Sequence, residues 1–120
     1  MELIKILEPD FTFKNDSGLL VQLVHDGFKQ VNTIFSQKGS VRGGHYHKYN
    51  EEAFYIITGS FKITVWKDDA KETYEFHAGE MFLINPYVFH TFEYLEDTWL
   101  VSMYSNGVEL DANTKDIWTE

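Results

Sequence analysis

The chain has 120 residues, 43% of them hydrophobic and 17% aromatic, which is enough for one domain and too few for two. A formal net charge of -9, with Arg42 as the single arginine, argues against partners such as nucleic acid or an anionic membrane. The absence of cysteine excludes disulfides and thiol catalysis. The start, MELIKILEPD, lacks the features of a secretory signal and no run is long enough to span a membrane, so we expect a cytoplasmic protein.

Abundant aromatic and β-branched residues, interrupted by frequent turn residues, predict an all-β barrel or sandwich. Residues 1–8 are expected to form a strand that ends at Pro9, and residues 11–25 a hairpin that turns at 15–18. A strand over 28–36 follows, and 37–44 is a glycine-rich connection. The clearest hairpin signal is EEAFYIITGSFKITVWKDD at 51–69, whose two arms meet near Gly59.

The second half continues the pattern of short strands. After a turn at 68–71, residues 72–85 are extended, and Asn85-Pro86 bends the chain. Residues 91–105 supply two strands broken at 96–97, and only the tail DANTKDIWTE is able to form a helical turn. We therefore expect a single domain, with N-terminal strands in 1–38, a barrel core that carries the site in 39–105, and a C-terminal tail in 106–120.

Four side chains in this pattern suit a metal ion. His45 and His47 share one face of an extended strand, because strand side chains alternate with a period of two. Glu52 can join them, and His90 follows the bend at Asn85-Pro86. Imidazole binds Zn, Cu, Fe and Ni, and a carboxylate tolerates Mn. The set predicts one divalent transition metal, namely Mn, Fe, Ni or Zn, and the alternative is a polar barrel mouth without metal.

The spacing of these residues resembles the cupin superfamily. The first cupin motif, GxxxxxHxHxxxxExxxxxxG, is matched at every spacing by Gly39, His45, His47, Glu52 and Gly59. The second, GxxxxxPxGxxH, is similar from Gly79 to His90, although Asn85 and Tyr87 replace its proline and inner glycine. The resemblance implies a jelly-roll barrel, the double-stranded β-helix, and a homodimer. Apolar surface left over by the many aromatic residues, and strand edges that need covering, also favour the dimer.

Two narrower resemblances imply different chemistry. Asp16, Gly18 and Leu20, followed by RGGHYHK at 42–48, are similar to the dTDP-sugar 3,4-ketoisomerases, which generally have no metal and lack a glutamate at position 52. The HYH stretch is also similar to the zinc cupin domain of bifunctional sugar-nucleotide epimerase-reductases, which keep that glutamate. This chain combines the ketoisomerase framing with Glu52.

The leading hypothesis is a metal-dependent isomerase or epimerase of a sugar or sugar nucleotide that works through an enediolate, since open coordination positions polarise a hydroxy-ketone. Metal-bound histidines cannot accept a proton, so the base is expected to be a tyrosinate such as Tyr49, Glu51 or metal hydroxide. The alternative is a metal-free dTDP-hexose 3,4-ketoisomerase that uses His45 or His47 as base. A non-enzymatic small-molecule-binding cupin and a cupin dioxygenase are the other hypotheses.

The expected substrate is a small molecule, a sugar derivative. Arg42 either clamps its carboxylate or phosphate or forms a surface ion pair. Few cations disfavour a nucleotide diphosphate without excluding it. His25 and His77 stand alone beside turns and are interpreted as surface residues. The other predicted substrate-binding residues are aromatic or aliphatic, with core or dimer contacts as the alternative for each tyrosine: Phe54, Ile56, Tyr87, Phe92, Tyr94 and Tyr104.

Overall fold

The computed structural model describes residues 2–119, in which eleven β-strands and no helix are found. All strand pairs are antiparallel, and the prediction of an all-β jelly-roll fold is confirmed. Because there is no helix in this part of the chain, none could cross a membrane. The strands in chain order are β1 (Ile4–Leu7), β2 (Phe11–Asn15), β3 (Gly18–Gln22), β4 (Gln30–Ser36), β5 (Val41–His45), β6 (Glu52–Thr58), β7 (Ser60–Lys67), β8 (Ala70–His77), β9 (Met81–Ile84), β10 (Phe89–Tyr94) and β11 (Thr98–Tyr104).

The strands form three sheets. One sheet has the order β1-β9-β6-β11-β4, the second has the order β5-β10-β7-β8, and β2 and β3 pair only with each other. From β6 onward, successive segments leave one large sheet for the other, except for β7 and β8, which are neighbours. Such a winding encloses a core between the two large sheets. It places β5, β6 and β10, which carry three of the four predicted ligands, around one end of that core.

The core is dominated by phenylalanine. Phe76 and Phe82 stack with ring centroids 4.2 Å apart, and Phe54 and Phe61 also contact Phe82. On β7 the alternation is regular: Phe61, Ile63 and Val65 are buried, because every second side chain of a strand points to the same face. Burying one such side chain contributes about 2 kcal/mol. This aromatic core lies directly beneath the site, because Phe54 and Phe92 belong to the core and also line the cavity.

The predicted hairpin over 51–69 is wrong. β6 lies between β9 and β11 in the first sheet, whereas β7 pairs with β8 and β10 in the second. The chain crosses between sheets at Gly59, whose φ of 95° favours glycine and where a Cβ would clash with the Asp97 carbonyl oxygen. Local turn residues announce a change of direction, but they do not decide which strand the next segment pairs with. The hairpin here is β7–β8, which turns at Asp68-Asp69.

β6 is buried on both faces, which a solvent-exposed hairpin arm would not be. Phe54 and Ile56 belong to the core between the sheets, while Ala53 and Tyr55 pack in a second cluster on the other face. That second cluster includes Leu23, Val24 and Phe28 from the segment between β3 and β4. The central position of β6 fixes Glu52, its first residue, at the end of the core.

Other local predictions need smaller corrections. The hairpin over 11–25 is confirmed, but its second strand ends at Gln22. The last four residues of the glycine-rich connection, 41–44, belong to β5. The helical turn in the tail is not found in residues 111–119. That segment instead makes isolated bridges, Glu109 with Lys115 and Trp118 with Tyr46. Long-range hydrogen bonds to the site loop outweigh the weak helical preference of the tail.

Candidate active site

Three histidines converge at the end of the core. His45 ends β5, His47 follows it in a loop, and His90 lies on β10 directly opposite His45. One ring nitrogen from each lies within 4.8 Å of the other two. The pairing of β5 with β10 brings His45 opposite His90, and the loop that follows β5 brings His47 to them.

Glu52 lies beside the cluster and is buried. Its Oε1 is 3.0 Å from His47 Nε2 and 3.8 Å from His90 Nε2. Its other oxygen, Oε2, accepts a hydrogen bond of 2.7 Å from the Ser102 hydroxyl on β11. Glu52 therefore lies next to the cluster of three histidines, in contact with His47 and His90.

Backbone carbonyls fix the orientation of two of the rings. His47 Nδ1 donates to the Asp116 carbonyl at 2.6 Å, and His90 Nδ1 lies 3.3 Å from the Val88 carbonyl. A carbonyl oxygen only accepts, so the proton of each neutral ring is on Nδ1, and Nε2 presents its lone pair to the centre. The His45 ring has no hydrogen-bond partner within residues 2–119.

The electrostatics keep the acceptors unprotonated. Burial lowers the pKa of His90 to about 4 and is also the main cause of the lowered pKa of His45. Burial opposes ionisation of Glu52, but the hydrogen bond from His47 and the neighbouring histidines outweigh it, so the pKa of Glu52 is lowered. At neutral pH, Glu52 is a carboxylate and His45 and His90 are neutral.

His47 differs from the other two histidines. Burial lowers the pKa of His47, yet the hydrogen bond and charge of Glu52 outweigh it and the net shift is upward. Because Nδ1 already donates to a carbonyl, the 3.0 Å contact between Nε2 and Glu52 brings two acceptors together unless a proton or a cation lies there. A carboxylate with three imidazoles, two of them oriented by carbonyls, is a donor set that fits a divalent transition metal.

A cavity of about 400 Å³ opens onto this group. Arg42 lies at its wall, where Nε donates to the Ser36 hydroxyl at 2.9 Å and Nη2 lies 3.5 Å from the Phe35 carbonyl. No ion pair of Arg42 is found in the described part of the chain, so the surface ion pair considered for it is not observed there. Polar groups thus sit on an apolar lining, and the lining residues are Ile34, Arg42, Gly43, His45, Glu52, Phe54, His90, Phe92, Tyr94, Leu100 and Tyr104.

The structure does not bring every predicted residue to the cavity. Ile56 is fully buried in the core, Tyr49 is 56% exposed and Tyr87 is 48% exposed, and none of the three lines the cavity. Glu51 does not line it either. These placements follow from pairing and loop geometry, which strand alternation alone does not specify.

Sequence reasoning missed Asp116, Ile34 and Leu100. Ile34 and Leu100 are opposite each other on β4 and β11, so only the strand pairing reveals that they share the cavity wall. Asp116, in the tail, is completely buried. The only feature of the sequence that could have pointed to it is its position two residues before Trp118. As predicted, His25 and His77 are at the surface, where they contact Asp10 and Glu75.

The sequence profile of the cupin domain matches residues 34–105, and the chain belongs to the cupin family. The match includes the three histidines and Glu52. The fold and the site therefore define a small cupin in which the three histidines and the glutamate lie at one end of the core.

Several solved structures are similar. A sugar 3,4-ketoisomerase from Thermoanaerobacterium thermosaccharolyticum in complex with TDP has a TM-score of 0.80 at 20% identity, over 98% of this chain and 88% of that one. A TDP-quinovose 3,4-ketoisomerase from Campylobacter jejuni has 0.81 at 19%, over 97% and 93%. The dTDP-4-dehydrorhamnose 3,5-epimerase from Sulfolobus tokodaii has 0.72 at 21%, over 84% and 69%. At these identities the likeness establishes the fold. No match is found among curated proteins.

Proposed function

We propose that this cupin binds a divalent transition metal and acts as an isomerase or epimerase of a sugar derivative. The observation that carries the proposal is the convergence of His45, His47 and His90 beside the Glu52 carboxylate, at the wall of a cavity large enough for a sugar. Solved cupins of similar fold that act on TDP-linked sugars support the choice of substrate class.

The chain's own residues have distinct roles in this proposal. His45, His47, Glu52 and His90 would hold the metal, and a metal bound there would supply Lewis-acid polarisation of a substrate carbonyl. Phe54, Phe92 and Leu100 exclude water from the reacting carbons. Arg42 binds one anionic group with the N–H groups that Ser36 and Phe35 do not use.

The tyrosines of the cavity act as hydrogen-bond donors in this scheme. Burial and the Glu52 charge raise the pKa of Tyr104, and burial raises that of Tyr94. Both phenols are therefore protonated at neutral pH; the Tyr104 hydroxyl interacts with the Glu52 carboxylate, and Tyr94 is suited to donate to a substrate oxygen. Tyr49 and Glu51, considered as bases from the sequence, lie outside the cavity lining and are poorly placed for proton transfer.

A metal-free 3,4-ketoisomerase is the second candidate, and the state of His45 favours it. This ring lines the cavity, is neutral because burial lowers its pKa, and has no hydrogen-bond partner in the described chain. His47 is less suitable, since the Asp116 carbonyl and Glu52 engage both of its nitrogens. His45 would remove the C3 proton of a 4-keto sugar to give an enediol or enediolate, the O3 hydroxyl proton would pass to O4, and return of the proton at C4 would leave a 3-keto, 4-hydroxy sugar.

Elemental analysis of the purified protein tests the metal. We expect about one equivalent of Mn, Fe, Ni or Zn in the native protein. The variants Glu52→Gln and His90→Ala should retain much less, while His77→Ala, which removes a surface histidine, should retain the native content. A native protein that contains no metal as purified, and that binds none of these metals when they are added, would exclude a metal-dependent enzyme.

Deuterium exchange tests the reaction. The protein is incubated with TDP-4-keto-6-deoxyglucose in D₂O, and proton NMR follows loss of signal at the carbons beside the carbonyl. Exchange that chelation abolishes and metal restores supports the metal-dependent isomerase. Exchange that survives chelation but is lost in His45→Asn supports the metal-free ketoisomerase. No exchange with any keto sugar would overturn both and leave a binding protein.

A further inference from the structure

Asp116 is fully buried, and all of its hydrogen-bonding groups are used. Its carboxylate accepts from the backbone N–H groups of Lys48 at 2.8 Å and Tyr49 at 2.9 Å. It also accepts from Asn50 Nδ2 at 2.8 Å and Trp118 Nε1 at 2.7 Å. Four donors on one buried carboxylate, whose pKa these hydrogen bonds lower against burial, make a strongly anchored charge.

The backbone of Asp116 joins this anchor to the site. Its N–H donates to the Val108 carbonyl at 2.7 Å, and its carbonyl accepts from His47 Nδ1 at 2.6 Å. Two residues further on, Trp118 exchanges two backbone hydrogen bonds with Tyr46, the residue between His45 and His47. The Lys48 ammonium lies 3.8 Å from the centre of the Trp118 ring.

Asn50 completes the connection to β11. It is buried, and its Oδ1 accepts from the N–H groups of Asn106 and Gly107, which follow that strand. Its Nδ2 donates to the Gly107 carbonyl and to Asp116. The loop at 46–50, the end of β11 and the tail are thereby tied together through two side chains.

We propose that residues 108–118, here called the strap, position the His47 imidazole, with Asp116 as the positioning residue. The Asp116 carboxylate holds the loop that carries His47, while the Asp116 carbonyl sets the tautomer and rotation of that ring. The ring thus has its Nε2 aimed at Glu52 before any ligand arrives. The strap does not line the cavity, so it acts through His47 and not by touching substrate.

The physical reason is preorganisation. A free imidazole rotates and exchanges its proton between two nitrogens, and both freedoms are lost when it binds a metal. A carbonyl fixed by a buried carboxylate removes them in advance, and losing such an outer partner typically weakens metal binding about 10- to 100-fold. The part of the inference that concerns metal affinity rests on the proposed metal site, whereas the part that concerns the His47 tautomer does not.

Three variants test the strap. Asp116→Ala removes the anchor. Asp116→Asn keeps its shape but turns an amide N–H₂ group toward donors on one side. Asp111→Asn is the matched control, because Asp111 is an exposed strap aspartate whose carboxylate accepts from the Asn113 N–H within its own turn. Zn²⁺ affinity is measured by competition with a chromophoric chelator, and the His47 tautomer of the metal-free protein by nitrogen-15 NMR of the ring.

The expected Zn²⁺ affinity falls about 10- to 100-fold in Asp116→Ala and less in Asp116→Asn, and is unchanged in Asp111→Asn. At a pH above the raised pKa of His47, where the ring is neutral, its proton should be on Nδ1 in the native protein and in Asp111→Asn, and should be divided between the Nδ1 and Nε2 tautomers in Asp116→Ala. A variant that loses thermal stability but keeps native affinity and tautomer would overturn the proposal, because Asp116 would then be merely structural.

Two further outcomes are informative. If Asp116→Ala does not fold, Trp118→Phe removes one donor to the carboxylate from a half-buried position, and a native His47 tautomer and affinity in both Asp116→Asn and Trp118→Phe would overturn the proposal. If the native protein binds no Zn²⁺, the metal-dependent function fails. The tautomer measurement still decides the strap in that case, since it requires no metal.

Discussion

At the scale of single residues, the Glu52 carboxylate has unequal effects on the pKa values of its histidine neighbours. It raises the pKa of His47 through a hydrogen bond and its charge, yet it does not offset the burial that lowers the pKa of His90. His90 is 1% exposed, which explains why desolvation is decisive there. Within one cluster, therefore, the pKa of His47 is raised and the pKa of His90 is lowered.

The metal-free protein is expected to lose folding stability in acid because of His90. Its pKa is about 4 when folded and about 6.5 when unfolded, so the unfolded chain binds more protons between these values and stability falls as the pH drops through that window. From pH 7.5 to 5, this contribution is about 2 kcal/mol. Urea unfolding at pH 7.5 and at pH 5 should show that the free energy of unfolding falls by about that much more in the native protein than in His90→Asn.

The raised pKa of His47 works in the other direction, since the stability it contributes is present below about pH 6.5 and is lost as the pH rises through its folded pKa. The comparison with His90→Asn keeps His47 in both proteins. Equal losses in the two proteins would show that His90 is not held neutral by burial.

At the scale of elements, the contact of β5 with β10 sets the distance between His45 and His90. Gly43 on β5 lies opposite Thr91 on β10, at the shift in register between His90 and Thr91. Its φ is 125°, and a Cβ would clash with the His90 carbonyl oxygen and lie 2.8 Å from Thr91 Cα. The backbone approach at this glycine is therefore part of the site's geometry.

We expect Gly43→Ala to push the two strands apart, with a destabilisation of about 3 kcal/mol from overpacking and backbone strain. Metal content should fall with it. Gly44→Ala is the matched control, because Gly44 also has a positive φ but nothing lies within 4 Å of its added Cβ. The control should lose about 1 kcal/mol and keep its metal. Urea unfolding and elemental analysis measure both, and equal effects would contradict the role of close contact.

At the scale of the whole molecule, the shape is elongated, with extents of 49 × 31 × 28 Å. The β2–β3 hairpin pairs with neither large sheet and exposes apolar side chains, including Phe13 at 57% and Leu20 at 54%. A two-stranded sheet alone is marginally stable in water, and exposed apolar side chains favour association. A homodimer, which the apolar composition also predicts, stays a prediction.

Sedimentation equilibrium should find the native protein as a dimer. Phe13 and Leu20 are direct cross-strand partners, so Phe13→Glu with Leu20→Lys keeps the hairpin through an ion pair while removing its apolar surface. This double variant should be monomeric. The control exchanges another exposed cross-strand pair, Lys62→Glu with Glu75→Lys on β7 and β8, and should remain dimeric. A monomeric native protein would contradict the prediction.

Much of the fold could be predicted from local pattern, and the failures have a common cause. The short strands were recognisable because aromatic and β-branched runs alternate with turn residues. The hairpin at 51–69 and the helical turn of the tail were wrong because their outcome depends on partners far away in the chain: β6 pairs with β9 and β11, and Asp116 with the loop at 48–50.

The sequence by itself determined which side chains could meet on one strand face. The HxH spacing predicts that His45 and His47 point the same way, and the motif spacing identifies Glu52 and His90 as their companions. Only the tertiary structure decided what surrounds them: Arg42 and Leu100 at the cavity, Tyr87 and Ile56 away from it, and Asp116 behind His47. The physical reason is that alternation is a property of neighbouring peptide units, whereas sheet order and buried hydrogen bonds depend on which distant segments the core brings together.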